Sequence, residues 1–282
     1  MKEITRKSNV ELLRIVAMLM IITHHVIVHG LGLKELMSGT FHFTPYSYPE
    51  MFVNSFVVVG VNVFIFISGF FGIKFKPKSI LSLVLQVFFY SVILYFVFIV
   101  FGTEKWNPKQ FFYALQPVSK NQWWFFTNYI LLYFLAPFLN YGMEKIPKKQ
   151  ILIMLIAFLY FDCYTGIIHK SIGQNGYTLF HFITLYLCAR YVSIYLMFER
   201  DAEIRHRFQK FIFFLRRNSL GFYIAASLLV FLSAYFVSRI SASREVWRVF
   251  SYNNPILILS SVFLFFTFYN LKIQKKWINW LA

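Results

Sequence analysis

The chain has 282 residues, of which 59% are hydrophobic and only 14% charged, with 37 Phe and 18 Tyr. Soluble domains carry about 25% charged residues, so this composition excludes a soluble globular protein and marks an integral membrane one. The formal charge of +17 would suit a nucleic-acid partner, but the way it is spread along the chain speaks for membrane orientation instead.

Apolar runs close to the roughly 20 residues needed to cross a bilayer predict spans at Val10–Val28, Phe52–Ile73, Ile80–Phe101, Trp123–Tyr141, Ile151–Ile168, Tyr177–Met197, Leu220–Val237 and Asn254–Leu271. These eight runs are expected to be helical, because lipid offers no partner to a free backbone N–H or C=O. Of the 28 Lys and Arg, 19 fall in the N-terminus, the tail and alternate loops (Lys74–Lys78, Lys145–Lys149, Arg200–Arg217), against 8 in the remaining loops, with Arg190 inside a span. That bias predicts a cytoplasmic N-terminus. The first run has no small-residue cleavage site and is too long for a signal-peptide core, so it is expected to stay as an anchor. The longest polar insertions are Gly30–Met51, Gly102–Gln122 and Phe198–Ser219, and neither a repeat nor a linker interrupts the chain. The expectation is an all-α polytopic bundle forming a single membrane domain over 1–282. Cys163 and Cys188 lack CxxC spacing and read as small hydrophobes.

The first span carries ionisable groups at both ends: "RIVAMLMIITHH", Arg14 to His25. Eleven helical steps return to within about 20° of the starting direction and advance about 16 Å, so Arg14 and His25 share one face. His24 points about 100° away, while His29 lies a turn beyond His25 on the same side. Charged or ionisable groups in a span are costly unless they meet a partner or a wet cavity, which makes the in-register pair a candidate site. Read singly, Arg14 could snorkel to headgroups, and His24 and His29 fit the outer headgroup layer. Histidine can accept a proton from a hydroxyl and return it to a thiolate, and arginine offers a planar fork for phosphate or amide carbonyls. Glu11, one turn before Arg14, is placed to pair with it. His25 and His29 have the spacing of two zinc ligands, but no HExxH motif, carboxylate or third ligand accompanies them, so no metal is expected.

In the second span, Gly60 and the Ser68–Gly69 pair suit close helix packing. Lys74, Lys76 and Lys78 follow at its cytoplasmic exit, suited to anionic lipid or to the phosphates of a nucleotide-bearing carrier. Further along, Trp106, Trp123 and Trp124 fit an outer aromatic belt, with sugar stacking as the other use of such rings. Asp162 in the fifth span requires a partner, His181 sits in the sixth, and Arg190 near that span's cytoplasmic end suits either snorkelling or a phosphate. Arg216–Asn218 reads as topological charge.

Three stretches together carry a resemblance. "NVELLRIVAMLMIITHHV", with Arg14 and His25 ten residues apart, resembles the first helix of the acyltransferase family 3 membrane proteins. "GVNVFIFISGFF", with basic residues after it, is similar to their second motif, and "QWWFFTNYILLYFLAPFLN" resembles their Trp-rich fourth-span region ending in a Pro-Phe-Leu-Asn turn. The likeness covers roughly residues 8 to 270. It implies an acyl-CoA-dependent O-acyltransferase, usually acetyl, that modifies a cell-surface polysaccharide or glycolipid from a multi-pass position in a bacterial plasma (inner) membrane. By matching position it implies His25 as the catalytic residue, Arg14 as a donor-binding residue, and Lys74 and Lys76 in place of the family's basic residues after SGF. Many members have arginine there, and lysine keeps the charge without the bidentate fork. Members usually continue into a further helix or more, and "KIQKKWINWLA" begins such a segment, so the domain is expected to lack the family's C-terminal helix or helices.

The expected partners are therefore acetyl-CoA or another acyl-CoA, a carbohydrate or glycolipid acceptor, and the bilayer, with no nucleic acid. Two rivals draw on the same residues. A glycolipid transporter or flippase would use Arg14 and His25 on a lipid phosphate or as a proton relay, although no inverted repeat is visible. A non-catalytic partner of a polysaccharide synthase would need neither residue for chemistry.

Overall fold

The computed structural model describes residues 7–38, 46–118, 123–165, 174–197, 205–240 and 243–281. No strand occurs among the described residues. The first helices are α1 (Ser8–His25), prolonged by a π-helical turn at Val26–Gly30, then α2 (Leu33–Ser38), α3 (Ser47–Val57) and α4 (Gly60–Phe71). Next come α5 (Pro77–Val100), α6 (Pro108–Ala114), α7 (Trp124–Lys145) and α8 (Lys148–Leu159), the last running into a π-helical turn at Tyr160–Thr165. They are followed by α9 (Leu179–Tyr191), α10 (Arg205–Arg217), α11 (Ser219–Ile240), α12 (Ser243–Val249), α13 (Pro255–Tyr269) and α14 (Lys276–Leu281). Among the described residues, five helical stretches are long and apolar enough to cross a bilayer: Ser8–Gly30, Ser47–Phe71, Pro77–Val100, Leu179–Met197 and Ser219–Ile240. Pro255–Tyr269 is apolar but shorter. The predicted spans at Trp123–Tyr141 and Ile151–Ile168 correspond to α7 and α8, which are not among those five, and the last three residues of Ile151–Ile168 lie outside the described residues.

The chain folds as two compact units, Met1–Phe71 with Ile146–Ala282, and Gly72–Lys145. In the first unit α4 is central, packing on α1, α9 and α13, while α11 packs on α13 and α3. Nine of the twelve α4 residues are buried, and its two glycines explain how neighbours come so close. A Cβ on Gly69 would lie 2.5 Å from the Tyr186 carbonyl oxygen and 2.8 Å from Ala189 Cβ on α9; one on Gly60 would lie 2.9 Å from the Ala17 carbonyl oxygen on α1. The packing use expected of these small residues is the observed one.

In the second unit, Gly72 takes a φ of +74°, the left-handed region that ends a helix at little cost only for glycine. Residues 73–76 are non-helical, and Pro77 stands at the first turn of α5, where its missing N–H is no loss. Ser91 is the sole buried residue of α5, which is mostly apolar but carries Lys78, Ser82 and Gln86 at helical spacing in its first half. The expected turn at Pro137–Asn140 does not form: Pro137 lies inside α7. Prolines are tolerated within membrane helices because neighbouring groups re-satisfy the freed carbonyl. The predicted polar insertions also contain helices: α2 in Gly30–Met51, α6 in Gly102–Gln122 and α10 in Phe198–Ser219.

Candidate functional site

The N-terminal motif is anchored before its reactive groups begin. Asn9 Nδ2 donates to the carbonyls of Phe268 and Tyr269 at 3.1 and 3.0 Å, satisfying acceptors that the end of α13 would otherwise leave open. Ser8 Oγ accepts from the Lys275 amide at 2.9 Å. One turn later, Arg14 donates from a single terminal nitrogen to both oxygens of Glu11, at 2.7 and 2.9 Å. The Glu11 side chain is 7% exposed and that of Arg14 is 39% exposed. A buried carboxylate therefore fixes the inner edge of the guanidinium and leaves its outer donors turned to the surface. This is the pairing expected of Glu11.

α1 is regular from Ser8 to His25, so the shared face of Arg14 and His25 is retained. Between them the stripe is open: Met18 is 50% and neighbouring Ile22 52% exposed. His25 is itself exposed, and its Nδ1 lies 2.8 Å from the Ile21 carbonyl oxygen. A carbonyl oxygen can only accept, so Nδ1 carries the hydrogen and Nε2 holds the lone pair. The His29 ring is 5.8 Å from that of His25 and is exposed as well. His24 differs from the expected headgroup position. The 100° step turns it into the protein, where it is 8% exposed, with Nδ1 2.6 Å from Asn54 Oδ1 and its ring edge-on to Tyr252 at 6.3 Å.

Lys74 and Lys76 belong to the second unit and are both exposed. The backbone that carries them is held from α7: Tyr133 Oη donates to the Lys74 carbonyl at 2.9 Å and Asn140 Nδ2 to the Ile73 carbonyl at 3.0 Å. Within the second unit, α7 from the Trp-rich stretch thus braces the segment that follows the SGF element. Phe75 adds ring contacts to Tyr133 and Phe134 at 6.1 and 5.9 Å.

A second constellation, inside the first unit, was not assembled from the sequence. Asp162 and His181 are both fully buried, with Oδ2 and Nδ1 2.7 Å apart. His181 Nε2 faces Asn62 Oδ1 at 3.1 Å, and Asn62 Nδ2 donates to the Tyr252 carbonyl at 2.8 Å. Because that carbonyl fixes the Asn62 amide orientation, Nε2 of His181 must donate, and one further proton is shared between Nδ1 and the carboxylate. The pair is neutral in sum, which lets it lie fully buried. Asn253 Nδ2 donates to the Asp162 carbonyl at 2.8 Å. Oδ2 of Asp162 thus finds its partner in His181, while the buried Oδ1 has no hydrogen-bond partner among the described residues. Asn54, Asn62 and Asn253 complete these contacts, and their signal in the sequence is an amide inside or beside an apolar helix, which requires a partner.

A family model described as an acyltransferase domain matches residues 7–282. No match is found among curated proteins or solved structures. The match spans nearly the whole chain, from just before the Asn9 anchor through the Arg14/His25 helix, the braced Lys74–Lys76 segment and the buried Asp162–His181 pair. The chain therefore belongs to the acyltransferase family 3 and is a membrane acyltransferase.

Proposed function

We propose that the protein transfers an acyl group, acetyl in the simplest case, from acyl-CoA on the cytoplasmic side to a hydroxyl of a cell-surface polysaccharide or glycolipid. In this reading Arg14 and the Lys74–Lys76 segment hold the phosphates or amide carbonyls of the donor. Nε2 of His25 takes the proton of the acceptor hydroxyl as its oxygen attacks the thioester carbonyl carbon. The tetrahedral intermediate collapses with cleavage of the C–S bond, and the departing thiolate takes that proton from the imidazolium, leaving an ester and free thiol. The Lys/Arg bias supports a cytoplasmic N-terminus, from which α1 would carry the chemistry from the donor side toward the outer leaflet.

The observation that supports this most is the Nδ1 contact of His25 with the Ile21 carbonyl. It presents Nε2 as the basic nitrogen on the same open face as a guanidinium whose remaining donors have no partner among the described residues. The test is transfer of radiolabelled acetyl from acetyl-CoA to envelope polysaccharide in membranes containing wild-type or His25→Ala protein at matched levels. General acid–base catalysis contributes about 10²–10⁴-fold, and a fall of that size is expected. Labelling equal to wild type would refute the assignment.

A further inference from the structure

The second unit contains a cavity of about 390 Å³ at the C-terminal end of α5, lined by Tyr95, Glu104, Gln110, Tyr113 and Trp123 among others. That volume lies within the range of small-ligand pockets, roughly 300–1,000 Å³. We propose that this cavity is a carbohydrate-binding subsite that holds one sugar ring of the acceptor at the outer face of the membrane.

Three observations carry it. The first is position along α5. From Lys78 to Tyr95 the helix rises about 26 Å, at 1.5 Å per residue, close to the thickness of a hydrocarbon core. The basic segment and the cavity are therefore at opposite ends of one spanning helix. With the lysines on the cytoplasmic side, the cavity opens outside.

The second is chemistry. The tyrosine and tryptophan rings offer apolar faces to the C–H faces of a pyranose, while the Glu104 carboxylate and Gln110 amide suit its hydroxyls. Neither of those two side chains makes a hydrogen bond among the described residues, and Trp123 is 40% exposed. The carboxylate also works against an anionic lipid headgroup, which favours a neutral polyhydroxylated ligand.

The third is that the walls are fixed in advance. Tyr95 Oη donates to the Asn107 carbonyl and accepts from the Asn107 amide, both at 2.9 Å. The Asn107 side chain accepts from the amides of Lys109 and Gln110 at 2.9 and 3.3 Å, capping α6. Trp106 and Phe111 pack on the Tyr95 ring at 5.9 and 5.7 Å. A wall built before the ligand arrives avoids an ordering cost on binding.

The proposal rests on the acceptor reading above, and its test reads binding separately from transfer. Full-length protein in phosphatidylethanolamine/phosphatidylglycerol nanodiscs is mixed with oligosaccharides released by mild acid from the envelope polysaccharide of the source cells, and saturation transfer to sugar C–H protons is measured by NMR. Saturation of those protons is expected in wild type and in His25→Ala alike. Trp123→Ala and Glu104→Gln are each expected to weaken binding at least fivefold at unchanged melting temperature. No saturation of sugar protons in wild type, saturation of lipid methylenes alone, or wild-type affinity in either variant would overturn the subsite. Should Trp123→Ala fail to fold, Glu104→Gln decides alone, since it exchanges one exposed oxygen for nitrogen. Acetyl transfer assayed in the same nanodiscs separates the two readings. Binding without transfer sinks the acyl-CoA chemistry and leaves the subsite, whereas transfer without binding sinks the subsite only.

Discussion

Gly69→Ala is the sharpest probe of how the first unit holds together. The added Cβ would sit 2.5 Å from the Tyr186 carbonyl oxygen, against an ordinary contact of 3.4 Å or more, so α4 and α9 must part by about 0.9 Å, the difference between the two. Asn62 lies two turns before Gly69 on the same face of α4, and its 3.1 Å contact with His181 Nε2 would open to about 4 Å, beyond hydrogen-bonding distance. Overpacking costs about 1–3 kcal/mol, and a buried donor left unpaired adds about 1–3 kcal/mol. The expected loss is therefore about 2–6 kcal/mol. Gly221 in α11 provides the control, because nothing lies within 4 Å of its added Cβ and helix propensity favours alanine by up to ~1 kcal/mol. Reversible unfolding by SDS titration in mixed micelles, followed by circular dichroism, measures both. A Gly69→Ala protein within about 0.5 kcal/mol of wild type, the range of an ordinary surface change, would show that the α4–α9 contact is not tight and would refute the reasoning.

Asp162→Asn and Asp162→Ala should differ. The amide can still donate to His181 Nδ1 while Nε2 donates to Asn62, so the same SDS titration is expected to show a small change; alanine strands a buried imidazole and should cost about 3–5 kcal/mol. Equal losses in the two variants would contradict the proton count assigned to the pair. Water alongside the Arg14/His25 stripe is tested with Met18→Cys in a Cys163→Ala/Cys188→Ala background. A membrane-impermeant maleimide should label it at least tenfold faster than Phe236→Cys, an exposed position on α11. Equal rates would place the stripe in lipid and remove the access to water and substrate that the proposed chemistry needs.

The helical class and the helix positions were legible because period and length of apolar runs answer to the solvent around them, and lipid is uniform. Local pairings were equally open to reading: Glu11 and Arg14 are one turn apart, and helical geometry alone brings them together. Asp162 and His181 were not, since nothing in the spacing of nineteen positions says that their helices lie side by side with Asn62 between them. His24 shows a finer failure. Its angular offset from His25 was readable, but whether that direction led to headgroups or to Asn54 depended on where α3 packed. The turn expected at Pro137 failed for another reason: proline signals a break in water more strongly than in a membrane, where a helix that opens has nowhere better to put its carbonyls.

The near-absence of buried residues on α5 has a consequence for how that helix can change. A mostly apolar helix with so little of its length buried in protein is constrained by oiliness and reach, and hardly at all by shape. Exchanges among Leu, Ile, Val and Phe along most of it should pass unnoticed, whereas on α4 a single methyl is felt. Saturation mutagenesis would thus draw two different maps on these helices: on α5 one graded mostly by polarity, on α4 one graded by volume. Ser91, buried, and Tyr95, held by Asn107, would stand out as the α5 positions with tight size limits.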